Sequence, residues 1–211
     1  MDLEQALAAL PAHEPAPNRL DWLVHDIDTR STVSRASGAQ APGLVLANGL
    51  VRRVFRLAPD AATIAFDNLR TDTCLLRAVS PEARITLDGQ GYDIGGLLGQ
   101  PEFAYLRPEW LPDMTADPAA FHCTGFDHGP TQAPFAWKRK RYSAGGAWPA
   151  PGVRLTLHFE SPSTGPHGLA LDVVYELYDG IPVLCKWLEL HNGGSTPVRV
   201  DAFSAEVLAL V

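Results

Sequence analysis

Cysteine is scarce in this sequence. Cys74, Cys123 and Cys185 lie far apart, odd in number and without a CxxC spacing. That usage implies neither a disulfide framework nor a zinc knuckle, and a thiol inside the apolar run around Cys185 reads as a small hydrophobe. Basic charge is also short. Lys and Arg number 17 against 24 Asp and Glu, for a formal net charge of −7. A nucleic-acid partner recognised through a broad basic face is therefore not expected. No apolar run approaches the roughly 18 residues that a membrane helix needs. The N-terminal "MDLEQALAALPAHEPAPNRLDW" lacks the basic n-region of a secretory signal. The expectation is a cytoplasmic chain with no membrane partner, no cofactor and no metal.

Glycine and proline are plentiful, at 18 each, and cluster between apolar segments. With 46% hydrophobic residues, this suits strands joined by shaped loops rather than disorder. A chain of 211 residues fits one large all-β domain, since sandwiches of about 200–250 residues fold as single units.

Residues 2–10 read as a short helix, capped by Asp2, with Leu3, Leu7 and Leu10 on one face. Pro11 ends it. Residues 1–30 form an N-terminal helix and linker appendage whose leucines dock on the main body or on a neighbouring subunit. From residue 31 the pattern is β. In "GLVLANGLVRRVFRL" the pair Asn48-Gly49 separates two apolar runs, which predicts a type I′ hairpin. "RITLDGQGYDIGG" predicts a second hairpin, turning at Asp88-Gly89.

The last third alternates clearly. Val153, Leu155, Leu157 and Phe159 point one way; Arg154, Thr156 and His158 point the other. Leu169 to Leu177 repeats that period of two, the mark of a half-buried strand. "VLCKWLEL" is apolar on both faces and is expected to be a central strand. In "VVYELYDGIPVLCKWLELHN" the turn, Pro182 and Trp187 have structural explanations, and Lys186 alone has none. "TPVRVDAF" adds a further strand. The final "SAEVLALV" is apolar without a cap or polar tail, so the natural protein is expected to continue past Val211 and the domain, residues 31–211, to be incomplete at that end.

Between Gly95 and Pro151 periodicity disappears. A structureless stretch of this length points to a functional or docking surface. It holds Trp110, Trp137 and Trp148, whose indoles suit the apolar C–H faces of sugar rings. The structural alternative is that these tryptophans pin loops to the sheet. Asp127 and His128, within "FHCTGFDHG", could take sugar hydroxyls, and so could Arg139 in the basic run "WKRKRY". That run otherwise reads as a solvated edge. Glu102, Glu109, Asp113 and Asp117 share the segment, but spacing in a loop does not establish a glycosidase pair. No catalytic residue is assigned.

The segments "LVLANGLVRRVFRL", "SPEARITLDGQGYDIGG" and "VVYELYDGIPVLCKWLELHNGGSTPVRVDAF" together resemble the N-terminal β-supersandwich, galactose-mutarotase-like domain of α-galactosidase-like glycoside hydrolases of the family 36 kind. The resemblance covers roughly Leu44 to Val211. It implies a large antiparallel two-layer β-sandwich, non-catalytic by itself, that supports or lines the sugar site of a following (β/α)8 barrel carrying both catalytic carboxylates. It implies carbohydrate and that downstream domain as partners; the loop aromatics and the short N-terminal helix suit self-association into a homo-oligomer. The alternative is a stand-alone carbohydrate-binding or aldose-epimerase-like protein. The "N-H-x-Y-F-N-L" pattern of stand-alone mutarotases is missing here.

Overall fold

A computed structural model describes residues 3–138 and 146–211. The chain is all-β and antiparallel. Strands β1 (Thr32–Arg35), β2 (Gly43–Ala47), β3 (Val51–Arg56), β4 (Ala62–Asn68) and β5 (Thr73–Cys74) form one sheet in sequence order. Four long strands make the second: β9 (His122–Pro130), β10 (Gly152–Glu160), β11 (Leu169–Tyr178) and β12 (Leu184–Asn192), ordered β12-β11-β10-β9. Two small sheets complete the body. One pairs β13 (Val200–Ser204) with β7 (Ala83–Leu87) and β8 (Gln90–Ile94); the other pairs β14 (Ala209–Leu210) with β6 (Leu76–Ala78).

Period-two alternation decides which side chains meet. Leu44, Leu46 and Phe55 of the first sheet share a core with Leu155, Leu157, Val173 and Tyr175 of the second. Each is sealed from solvent, and each such apolar side chain contributes about 1.5–3 kcal/mol relative to exposure. The other face of the first sheet is covered as well. Val45, Ala47 and Val54 pack against Leu97, Leu111 and Met114 of the Gly95–Pro151 segment, which explains why β2 is buried along its whole length. That stretch also contains a nine-residue strand, β9. Its Gly125 and Gly129 and its polar residues hid the alternation.

The helix α1 spans Leu3–Ala8, and Leu7 and Leu10 lie in the main core with Leu3 against it. Docking on the body is thus realised; the proposed cap Asp2 lies outside the described residues. No helix among the described residues is long and apolar enough to cross a membrane.

Two expectations need correction. The Asn48-Gly49 connection is a hairpin, but not type I′, because only Gly49 has positive φ, at 78°. Asn48 instead folds its side chain over the turn, its Oδ1 accepting from the amides of Leu50 and Val51 at 3.1 Å each. The type I′ geometry occurs at Asp88 (φ 48°) and Gly89 (φ 83°). And β12 is an edge strand, with β11 and β10 the interior ones. Its outward positions carry Trp187, Glu189 and His191 rather than a second core.

Candidate functional site

The outer face of the β9–β12 sheet gathers most of the chemistry. In-register pairing sets Arg154, Thr156 and His158 of β10 beside Glu176, Val174 and Asp172 of β11. The next row is Cys185, Trp187 and Glu189 of β12, with His191 one step beyond. Asp127 pairs with Thr156 and joins this face from β9.

At one end lies a groove of about 260 Å³, lined chiefly by Phe135, Trp148, Trp187, Tyr178, Glu176 and Gln132. Phe135 and Trp148 have ring centroids 5.4 Å apart, and Trp137 lies 5.6 Å from Trp148. The Trp148 indole N–H donates to the Phe135 carbonyl at 3.4 Å, tying the two loop arms together. On the floor, Glu176 accepts from the Gln132 amide at 3.0 Å and from the Tyr178 hydroxyl at 3.1 Å. Burial, with Cys185 and Glu176 alongside, pushes the Tyr178 phenol up; it stays protonated and able to donate. The wall is apolar, the floor polar.

Past Trp187 the face becomes ionic. The Arg154 guanidinium sits 5.2 Å over the Trp187 ring and 3.0 Å from Glu189 Oε1, which also accepts from the Trp187 indole at 2.8 Å. Beyond it, His158 bridges two carboxylates, with Nδ1 at 2.7 Å from Asp172 and Nε2 at 3.0 Å from Asp127. Burial opposes a charged His158, yet those hydrogen bonds and charges hold its pKa above the ordinary histidine value. His191 Nε2 lies 3.1 Å from the second oxygen of Asp172.

Beneath this sheet, between the layers, is a buried ion network. Arg53 Nη2 is 2.9 Å from Glu82 Oε2 and its Nη1 is 2.6 Å from Glu206 Oε2. Lys186 Nζ lies 2.9 Å from Glu206 Oε1 and donates to the main-chain carbonyl of Glu82, with the Glu82 Oε2 at 3.6 Å, while the Tyr175 hydroxyl donates to that carboxylate. Burial alone would raise the Glu82 carboxyl; the Arg53 and Lys186 charges and the Tyr175 and Thr63 hydrogen bonds outweigh it and hold the group below its usual range. Burial likewise lowers the Lys186 ammonium against the pull of the carboxylates. These groups admit no ligand: Arg53 and Glu82 are each 1% exposed. The network pins Glu206, in the β13–β14 connection, to the core, which accounts for Lys186.

The residues singled out from sequence separate into distinct places. Trp148 lies in the groove and Trp137 beside it. Trp110 does not: it packs against the core under the first sheet, its ring 6.0 Å from the Arg107 guanidinium. Asp127 is on the outer face, but His128 pairs with Leu155 and points to the opposite one. His122 is turned away too, hydrogen-bonded to Asp60 at 2.8 Å, and burial pushes the Cys123 thiol up to about 12. Strand geometry thereby takes "FHCTGFDHG" apart as a cluster. Arg139 lies outside the described residues.

Sequence reasoning missed Trp187, Tyr178 and Glu176 in the groove, and His158, Asp172, Glu189 and His191 beyond it. The signal was present: alternation in β10 and β11 already assigned their polar residues to one face. What it lacked was the β12 pairing register that aligns the third row.

A scan against protein-family models finds no match, and searches of curated proteins and of solved structures find none either.

Proposed function

We propose that this chain is a non-catalytic, carbohydrate-binding β-sandwich module of a glycoside hydrolase, α-galactosidase-like in kind, whose catalytic carboxylates reside in another domain. The observation that carries the reading is the groove at Phe135, Trp148 and Trp187. Its aromatic walls suit the C–H faces of a pyranose, while Gln132, Glu176 and Tyr178 offer polar groups to hydroxyls. At about 260 Å³ it falls just below the roughly 300–1,000 Å³ of pockets for drug-sized ligands, which favours one sugar ring over a long oligosaccharide.

Exposed apolar side chains support the modular part of the reading. Val200 and Phe203 on β13, with Ile181 and Val183 in the β11–β12 turn, are large hydrophobics open to solvent. A companion catalytic domain packing there would bury them, in keeping with how exposed apolar patches are used. The test is calorimetric titration of galactose and short α-galactosides into the protein, with Trp148→Ala alongside. Saturable binding that Trp148→Ala abolishes supports the reading; no heat up to 10-fold over about 1 mM, a weak affinity of roughly −4 kcal/mol, contradicts it. Hydrolysis of an aryl α-galactoside by this chain alone contradicts the non-catalytic assignment, and accelerated anomerisation of α-galactose favours an epimerase-like protein instead.

A further inference from the structure

The ionic end of the outer face has no role in the sugar reading, and its chemistry is of a different class. Asp172, Glu189 and His191 each present a ligand atom, and these atoms all lie within 4.8 Å of one another. Glu189 and His191 are two positions apart on β12, and Asp172 is the direct cross-strand partner of Glu189. The three therefore share one face by sheet geometry rather than by loop conformation.

We propose that Asp172, Glu189 and His191 form a binding site for a divalent first-row transition ion, with zinc the best fit. Ligand type argues for this choice. Imidazole suits zinc, copper, iron and nickel, whereas calcium and magnesium take oxygen ligands. Spacing argues for it too. Two atoms each about 2.0–2.1 Å from a zinc at a tetrahedral angle lie roughly 3.3 Å apart, and Asp172 Oδ2 and His191 Nε2 are separated by 3.1 Å. The ion would replace that hydrogen bond with little movement of either strand.

The carboxylates are held from outside the trio, as metal-ligating carboxylates usually are. His158 Nδ1 holds Asp172 Oδ1 at 2.7 Å. The Trp187 indole and the Arg154 guanidinium hold Glu189 Oε1 at 2.8 and 3.0 Å. Each carboxylate thus has one oxygen fixed and a second one to offer. Charge is in keeping. Glu189 pairs with the Arg154 guanidinium, while Asp127 and Asp172 pair with His158, which leaves an excess of two negative charges among these groups when the imidazoles are neutral. Water or a ligand group would complete the shell, since three protein ligands leave a position open.

The proposal stands whether or not the groove takes sugar, and its test uses metal alone. Calorimetric titration of zinc chloride should be run on a Cys74→Ser, Cys185→Ser background, because both thiols are exposed and would compete. One equivalent should bind, while calcium and magnesium at the same concentration give no saturable heat. His191→Ala and the isosteric Glu189→Gln should each weaken zinc at least 10-fold, and His158→Gln by about 10–100-fold, as loss of an outer partner does. Far-ultraviolet circular dichroism establishes that each variant is folded. Absence of a one-to-one isotherm in the background protein would overturn the proposal, and so would unchanged affinity in folded His191→Ala and Glu189→Gln.

Discussion

Asn48 and Tyr178, 130 positions apart, are joined through one side-chain amide: Asn48 Nδ2 donates to the Tyr178 carbonyl at 2.7 Å and to the Ile181 carbonyl at 2.7 Å. The same residue's Oδ1 closes its own hairpin by accepting from Leu50 and Val51. One buried amide therefore welds the β2–β3 turn to the β11–β12 turn, whose strands carry the outer face. Two acceptors and two donors depend on it.

Asn48→Ala should destabilise the protein by about 2–3 kcal/mol, since a buried polar group left unpaired costs roughly 1–3 kcal/mol. Asn48→Asp should cost more than the alanine despite its closer shape, because a carboxylate would face two carbonyl oxygens with nothing to donate. Urea unfolding of the three proteins orders them. An aspartate variant as stable as wild type would contradict this account of the turn.

The Arg53–Glu82–Glu206–Lys186 network makes a sharper prediction. Glu82→Gln leaves two cations in the core with only Glu206 to balance them. Breaking a buried pair in this way costs about 3–5 kcal/mol. Lys186→Met should cost much less, since it removes a charge that burial already disfavours. Midpoints of chemical denaturation measure both.

Acid stability follows from two carboxyls. Burial opposes ionisation of Asp179, but the Ser31 amide at 2.7 Å and the Arg30 guanidinium at 3.1 Å hold it below the usual aspartate range. Glu82 is depressed by its cations. A depressed carboxyl lends stability that is complete above its unfolded pKa, about 4 for these residues, and is lost as pH falls through the lower folded value. The contribution of these two carboxyls to thermal stability should therefore be constant from neutrality to about pH 5 and fall steeply below pH 4. Asp179→Asn should be less stable at pH 7 and show a shallower acid slope. An identical slope in wild type and variant would contradict the assignment.

Much of this architecture was legible in the sequence. The hairpin at Asp88-Gly89, the alternation of Val153–Phe159 and Leu169–Leu177 and the docking of Leu7 and Leu10 follow from local periodicity and turn chemistry. The site was legible only in fragments. Trp148 stands out because it sits in an aperiodic stretch, whereas Trp187 lies in an apolar strand whose pattern reads as core. Lys186 was visibly unexplained, but its partners Glu82 and Glu206 are brought to it by pairing between distant strands, which local patterns do not encode. Asn48 shows the same limit. A hairpin signal locates the turn, and only the second turn packed against it explains why an asparagine stands at position 48.

The tryptophans provide the most direct measurement of the central reading, that the groove at Phe135, Trp148 and Trp187 on the outer face of the β9–β12 sheet is the carbohydrate site. The five indole N–H resonances belong to Trp22, Trp110, Trp137, Trp148 and Trp187, and a two-dimensional nitrogen–proton spectrum resolves them during titration with galactose or a methyl α-galactoside. The account predicts saturable shifts for Trp148 and Trp187, with a smaller one for Trp137, while Trp22 and Trp110 stay in place. Unmoved Trp148 and Trp187 signals at saturating sugar, or shifts centred on Trp110, would contradict it.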